Sequence, residues 1–193
     1  RAELESRAPW GQFGRGLLLL GATLFAYLSV RVLPLTQVYV VNFSSPLIVT
    51  LLAIPLLKEK VGAKRLLAAV CGFSGVLIAV QPDVGGLNAN LLLPVGMAVC
   101  FALYQLATRY FAAQDSALTS LLYTATAGGL VSTLAVPFFW VPVQSEDIAL
   151  FVLIGVLGAL SHFALIEAMR SASASLVSPF LYSQLIWATL IGY

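Results

Sequence analysis

Residues 35–65 read LTQVYVVNFSSPLIVTLLAIPLLKEKVGAKR. The first 23 contain no Asp, Glu, Lys or Arg, and the next eight contain five of them. Coiled as a helix, 23 residues rise about 35 Å, enough to cross the roughly 30 Å hydrocarbon core of a bilayer. The basic cluster that follows belongs in water. A membrane helix ending in a polar loop is therefore the reading from which the rest of the chain is built.

The same alternation recurs on both sides. Apolar runs occupy about 13–33, 35–57, 63–81, 89–109, 117–140, 148–169 and 172–193, separated by short polar breaks. The chain as a whole is 60% hydrophobic and 9% charged, against roughly 25% charged in an ordinary soluble domain, so a water-facing surface could not be covered. The expected class is an all-α polytopic membrane protein. The breaks carry helix-start residues: Asn88 and Asn90, Asp115 with Ser116, Ser145 with Glu146 and Asp147, and Ser171 with Ser173. The first, third, fifth and seventh breaks hold Arg1, Arg7, Arg15, Lys58, Lys60, Lys64, Arg65, Arg109 and Arg170, whereas the others hold only Arg31. By the positive-inside rule, Arg1 and the 58–65 loop are expected in the cytoplasm, with Asp83, Glu146 and Asp147 on the far side. This fits a bacterial inner membrane.

Sliding the chain by 139 residues sets Gly16 on Gly155, Arg31 on Arg170 and Leu51 on Leu190. In both copies a helix ends at Arg, a short turn follows, and a polar-speckled helix with a central proline begins. Arg31 and Arg170 fall on opposite sides of the membrane, so the two copies run in opposite senses. Such inverted repeats are common among secondary transporters.

The stretch 28–82 resembles the drug/metabolite transporter superfamily, in its EamA-type members. The likeness rests on the Arg31-x-Leu33-Pro34 turn, Ser45-Pro46-Leu47, Glu59 closing the helix, and Gly72 to Val80 ahead of Pro82. It departs from them at Leu57-Lys58-Glu59, where members often carry Leu-Gly-Glu. The resemblance implies ten helices in two inverted five-helix units, of which these seven would be the third to the ninth. Residues 1–82 would then end the first unit and 87–193 begin the second. Two helices are expected before Arg1, and completion of one and addition of another after Tyr193. It also implies carriage of a small organic metabolite or drug-like solute by alternating access.

Polar groups within a bilayer are costly unless they face protein or water, so polar stripes mark the inside of the bundle. Those stripes give Tyr27, Tyr39, Asn42, Ser45, Tyr104, His162, Ser178 and Tyr182 as candidate solute contacts, with Pro46 and Pro179 as helix kinks. Gln184 falls off the Ser178/Tyr182 face at ideal helical spacing. His162 is the single histidine and stands well inside a helix, suited to hold a solute, to take up a proton, or to bond across helices. Ala68, Gly72, Gly128, Gly155 and Ala159 are expected at helix contacts, and Cys71 and Cys100 as apolar packing residues. Expected partners are a solute and the lipid bilayer, with a homodimer as a further option and no nucleic acid. No cofactor, metal set or catalytic cluster is expected. The competing readings are a seven-helix receptor, which needs the helix count taken literally, and a non-transporting membrane subunit.

Overall fold

The computed structural model describes residues 5–80 and 89–192, so Arg1, Pro82, Asp83, Asn88 and Tyr193 lie outside the described residues. The described chain is all helix: α1 (Pro9–Val30), α2 (Leu35–Asn42), α3 (Ser45–Leu57), α4 (Ala63–Val80), α5 (Leu92–Phe111), α6 (Ala117–Phe139), α7 (Ile148–Ser171), α8 (Ala174–Val177) and α9 (Ser183–Gly192). Six segments are long and apolar enough to cross a membrane, α2 and α3 together forming one of them. The distribution of side chains is inside-out relative to a soluble protein. Leu134, Phe138, Phe139 and Ile154 are exposed, while Gln12, Arg15, Thr50, Gln105 and Ser175 are buried. An apolar outside and a polar inside suit lipid as the solvent, and the chain is a polytopic helical membrane protein.

Two of the expected spans are broken. The run 35–57 parts at Phe43-Ser44, one turn before Pro46. The proline has no N–H for the Asn42 carbonyl, and its ring crowds that carbonyl, so the interruption falls upstream of the ring. The run 172–193 is not the single helix expected from sequence. It passes from α8 through a 3₁₀ turn, Ser178–Tyr182, into α9, with Pro179 inside that turn. Shifted by 139 residues, Leu35 falls on Ala174 and Phe43 on Tyr182, so the helix starts coincide and the breaks overlap at their ends. The aromatic pair at the breaks is in contact, with ring centroids 6.3 Å apart.

Helix α1 begins at Pro9, four residues before the apolar run, because proline is well suited to a first helical position. Arg15 is therefore inside the helix and not in a loop. The contacts of α1 with α5 and α6 form the tightest part of the bundle. A Cβ on Gly16 would meet that of Ala127 at 2.6 Å and the backbone of Thr124 at 3.2 Å. Gly72 is likewise pressed against the ring of Tyr182. The other small residues expected at helix contacts are placed differently: Gly128 and Gly155 meet nothing within 4 Å, and Ala68 and Ala159 are exposed. They lie on outward faces of α4, α6 and α7. Cys71 also faces outward, a correction to its expected packing role, whereas Cys100 is half-buried with its Sγ 3.5 Å from a Cβ built on Gly21.

Helix α3 ends at Lys58, whose φ of 54° and ψ of 31° are left-handed. The N–H groups of Lys58 and Glu59 both donate to the Ala53 carbonyl, closing the helix and turning Glu59 back towards the bundle. Glycine adopts this conformation freely, whereas a side chain there costs about 1 kcal/mol. Lys58→Gly is expected to raise the melting temperature of the full-length protein in detergent by a few degrees. An unchanged or lowered midpoint would mean that the lysine side chain contributes more than its backbone costs.

Candidate functional site

The polar interior is divided between the two ends of the bundle. At one end stand the start of α1, the ends of α3, α5 and α7, and the starts of α4, α6 and α8. Glu59, carried there by the turn at Lys58, accepts hydrogen bonds from the backbone N–H of Ala174 (2.8 Å) and Ser175 (3.1 Å) and from the Ser175 hydroxyl (2.7 Å). It thus serves as the carboxylate cap of α8. Arg109 lies 3.8 Å from Glu59 and donates to the Met169 carbonyl at 2.6 Å. Arg65 donates to the hydroxyls of Ser173 and Ser175. Glu167 pairs with Arg170 at 3.2 Å on the exposed side, as their spacing suggests.

Beside this cluster is a second one, built on Arg15. Arg15 is 1% exposed, and among the described residues no carboxylate is in direct contact with its guanidinium. Its Nε donates to Gln12 at 2.9 Å, one terminal nitrogen donates to Thr108 at 3.1 Å, and the other to the Ser120 carbonyl and the Thr124 hydroxyl. Gln12 in turn donates to Asp115 at 2.8 Å, as do Ser6 and the Arg7 backbone N–H. Burial opposes ionisation of Asp115, but the bonds from Ser6, Gln12 and Arg7, with the Arg7 charge, hold its carboxyl below the usual range. Ser116 caps α6 through the Thr119 N–H.

The other half of the bundle holds a cavity of about 810 Å³, within the range of small-molecule sites. Thr23 and Tyr27 of α1, Tyr39 and Asn42 of α2, Phe101 of α5, Ser161 and His162 of α7 and Gln184 of α9 are among its lining. No Asp, Glu, Lys or Arg is among the described lining residues. The break after Asn42 ends α2 at the cavity wall, and the buried Asn42 side-chain oxygen has no partner among the described residues. Such an atom calls for a ligand or water. Behind the wall, Tyr104 is fully buried. Its hydroxyl is 3.3 Å from Nδ1 of His162, and the two rings meet edge to face at 5.7 Å. The Arg15 guanidinium carbon lies 5.4 Å from the centre of the Tyr104 ring.

Tyr27, Tyr39, Asn42 and His162 are thus brought together, with Tyr104 one layer behind. Ser45 and Ser178 are buried in helix packing away from the cavity wall, and Tyr182 turns to Phe43 and Gly72. Gln184 is at the wall although ideal helical spacing excluded it. A 3₁₀ turn advances about 120° per residue in place of 100°. Five residues in that form rotate the following helix by roughly 100°, bringing Gln184 inward. Arg15 carried no such signal, because a charge near the start of an apolar run reads as a loop residue. Among the described residues, no group of three His, Cys, Asp or Glu side chains is placed to hold a metal.

Residues 3–81 match the EamA-like transporter family. Over 191 residues the chain is 29% identical to an S-adenosylmethionine uptake transporter of Rickettsia bellii, covering 98% of this chain and 65% of that protein. It is 32% identical over 190 residues to a riboflavin transporter of Vibrio cholerae, covering 94% of this chain and 63% of that one. The chain therefore spans just under two thirds of the length of these relatives. A crystal structure with 22% identity superposes with a TM-score of 0.79 over 96% of this chain and 67% of the other, sharing the fold.

Proposed function

We propose that this chain, whose residues 3–81 match the EamA-like transporter family and which is similar over most of its length to metabolite transporters, is part of a secondary transporter that carries a small organic metabolite across the bacterial cytoplasmic membrane by alternating access. The cavity carries this reading: polar groups from four broken or packed helices surround a space that holds a metabolite-sized solute. Tyr27, Tyr39, Asn42, His162 and Gln184 are the proposed solute contacts. With the basic end taken as cytoplasmic, the cavity is in the opposite half, and the Glu59 and Arg15 clusters seal the cytoplasmic half. The conformation is then the outward-facing one.

The proposed architecture is two units of opposite orientation, residues 1–82 ending the first and 87–193 beginning the second. Support comes from the coincidence of helix starts and the overlap of the breaks under the 139-residue shift, and from the contact between Phe43 and its counterpart Tyr182. The relatives' names suggest riboflavin and S-adenosylmethionine as the first solutes to try. Uptake of each radiolabelled compound into proteoliposomes of the full-length protein tests the function. His162→Ala is expected to lower uptake at least tenfold while the amount of inserted protein stays the same. Undiminished uptake by that variant removes His162 from the site. Accumulation of neither compound, nor of other metabolites in a panel, removes the transport reading.

A further inference from the structure

Tyr104 is not part of the cavity wall, yet it makes the hydrogen bond to His162 that can decide what the wall offers. A neutral imidazole carries one proton, and the partner of one ring nitrogen fixes the role of the other. At Nδ1 that partner is the Tyr104 hydroxyl. Phenol and imidazole could each be the donor, and the charge behind the phenol chooses between them. The Arg15 guanidinium stacks on the Tyr104 ring, pinned in place by Gln12, Thr108 and Thr124. A cation against the ring stabilises negative charge accumulating on the phenolic oxygen. The O–H is made a better donor and the oxygen a poorer acceptor.

We infer that Tyr104, biased by Arg15, holds His162 in the tautomer with its proton on Nε2, so that the cavity presents an N–H donor to the solute. This rests on the reading of His162 as a solute contact. The matching group on the solute is a hydrogen-bond acceptor with no proton of its own, such as a ring carbonyl or an unprotonated ring nitrogen. Tyr104 and Arg15 are positioning residues, since neither touches the solute.

The chain has one histidine, which makes the tautomer directly observable. Full-length protein labelled with ¹⁵N-histidine, with the His162 signals assigned by their loss in His162→Gln, is expected to show a pyridine-type Nδ1 and a pyrrole-type Nε2. In Tyr104→Phe the two signals are expected to mix or exchange. A protonated Nδ1 in the parent, or an unaltered pattern in Tyr104→Phe, overturns the inference. A second arm uses riboflavin or S-adenosylmethionine, whichever the parent protein accumulates. Tyr104→Phe is expected to weaken its apparent affinity roughly tenfold, the worth of one oriented hydrogen bond. In a His162→Gln background, where the amide supplies its own donor at the Nε2 position, the same change is expected to cost less than about twofold. Equal losses in the two backgrounds would show that Tyr104 acts through packing alone. If His162→Ala leaves uptake intact, the solute site itself is misplaced, and the ¹⁵N spectra still decide the tautomer.

Discussion

Replacing Arg15 with alanine is expected to cost the full-length protein about 3–5 kcal/mol of stability, the largest effect of any single change considered for this chain. The guanidinium is six residues into α1, about 9 Å along the helix from its start, and it satisfies acceptors on α1, α5 and α6. Removing it strands the Gln12 side-chain oxygen and takes one donor each from the Ser120 carbonyl and the Thr124 hydroxyl, which keep their bond to each other. A stranded buried group costs about 1–3 kcal/mol, and the emptied space in α1 adds a cavity cost. Arg15→Lys keeps the charge but not the planar fork, so it cannot reach all four partners and is expected to recover only part of the loss. Heating detergent-solubilised protein and following the monodisperse fraction by size exclusion would measure both. An alanine variant that melts with the parent would show that water replaces the guanidinium at no cost, and that α1, α5 and α6 are held by their apolar contacts alone.

The second large effect is expected at Glu59, and it reaches function as well as stability. Glutamine at this position keeps the shape but loses the charge. The N–H groups of Ala174 and Ser175 then meet a weaker acceptor, and Arg109 loses its counterion. The expected loss is about 2–4 kcal/mol. In the proposed cycle the contacts of Glu59 must break whenever the cavity opens to the cytoplasmic side, because they join the end of α3 to the start of α8. Weakening them should shift the population towards that state. A cysteine replacing the buried Ala174, in a background lacking Cys71 and Cys100, is expected to react with a water-soluble maleimide at least tenfold faster when Glu59→Gln is added. Equal labelling rates would mean that this end does not open, and that Glu59 serves only as a helix cap.

Much of this architecture was legible from residue order alone, and the rest fails for identifiable reasons. The type of the spans, and six of the seven expected, follow from composition, since lipid penalises every charge within about 20 residues. The basic end is legible for the same reason. Tyr27, Tyr39, Asn42 and His162 share the cavity wall because regular helical spacing holds up to each of them. That spacing fails past Ser178, where the 3₁₀ turn changes the phase, so Gln184 and not Tyr182 lines the cavity. Arg15 was hidden for another reason. Its partners Thr108, Ser120 and Thr124 are about a hundred residues away in sequence, and nothing local distinguishes a buried arginine at a helix start from a solvated one. The small residues on α4, α6 and α7 show the same limit, as a glycine or alanine in an apolar run does not reveal which face has a neighbour.

The touching rings of Phe43 and Tyr182 have a mechanical consequence. For two units related as proposed, a residue in contact with its own counterpart lies at the axis that relates them. When one unit takes up the shape of the other, positions far from that axis travel and positions on it stay put. The cavity wall at Asn42 and Gln184 and the seal at Glu59 would then be lever arms on either side of a fulcrum, and the Phe43–Tyr182 contact would persist through the proposed transport stroke.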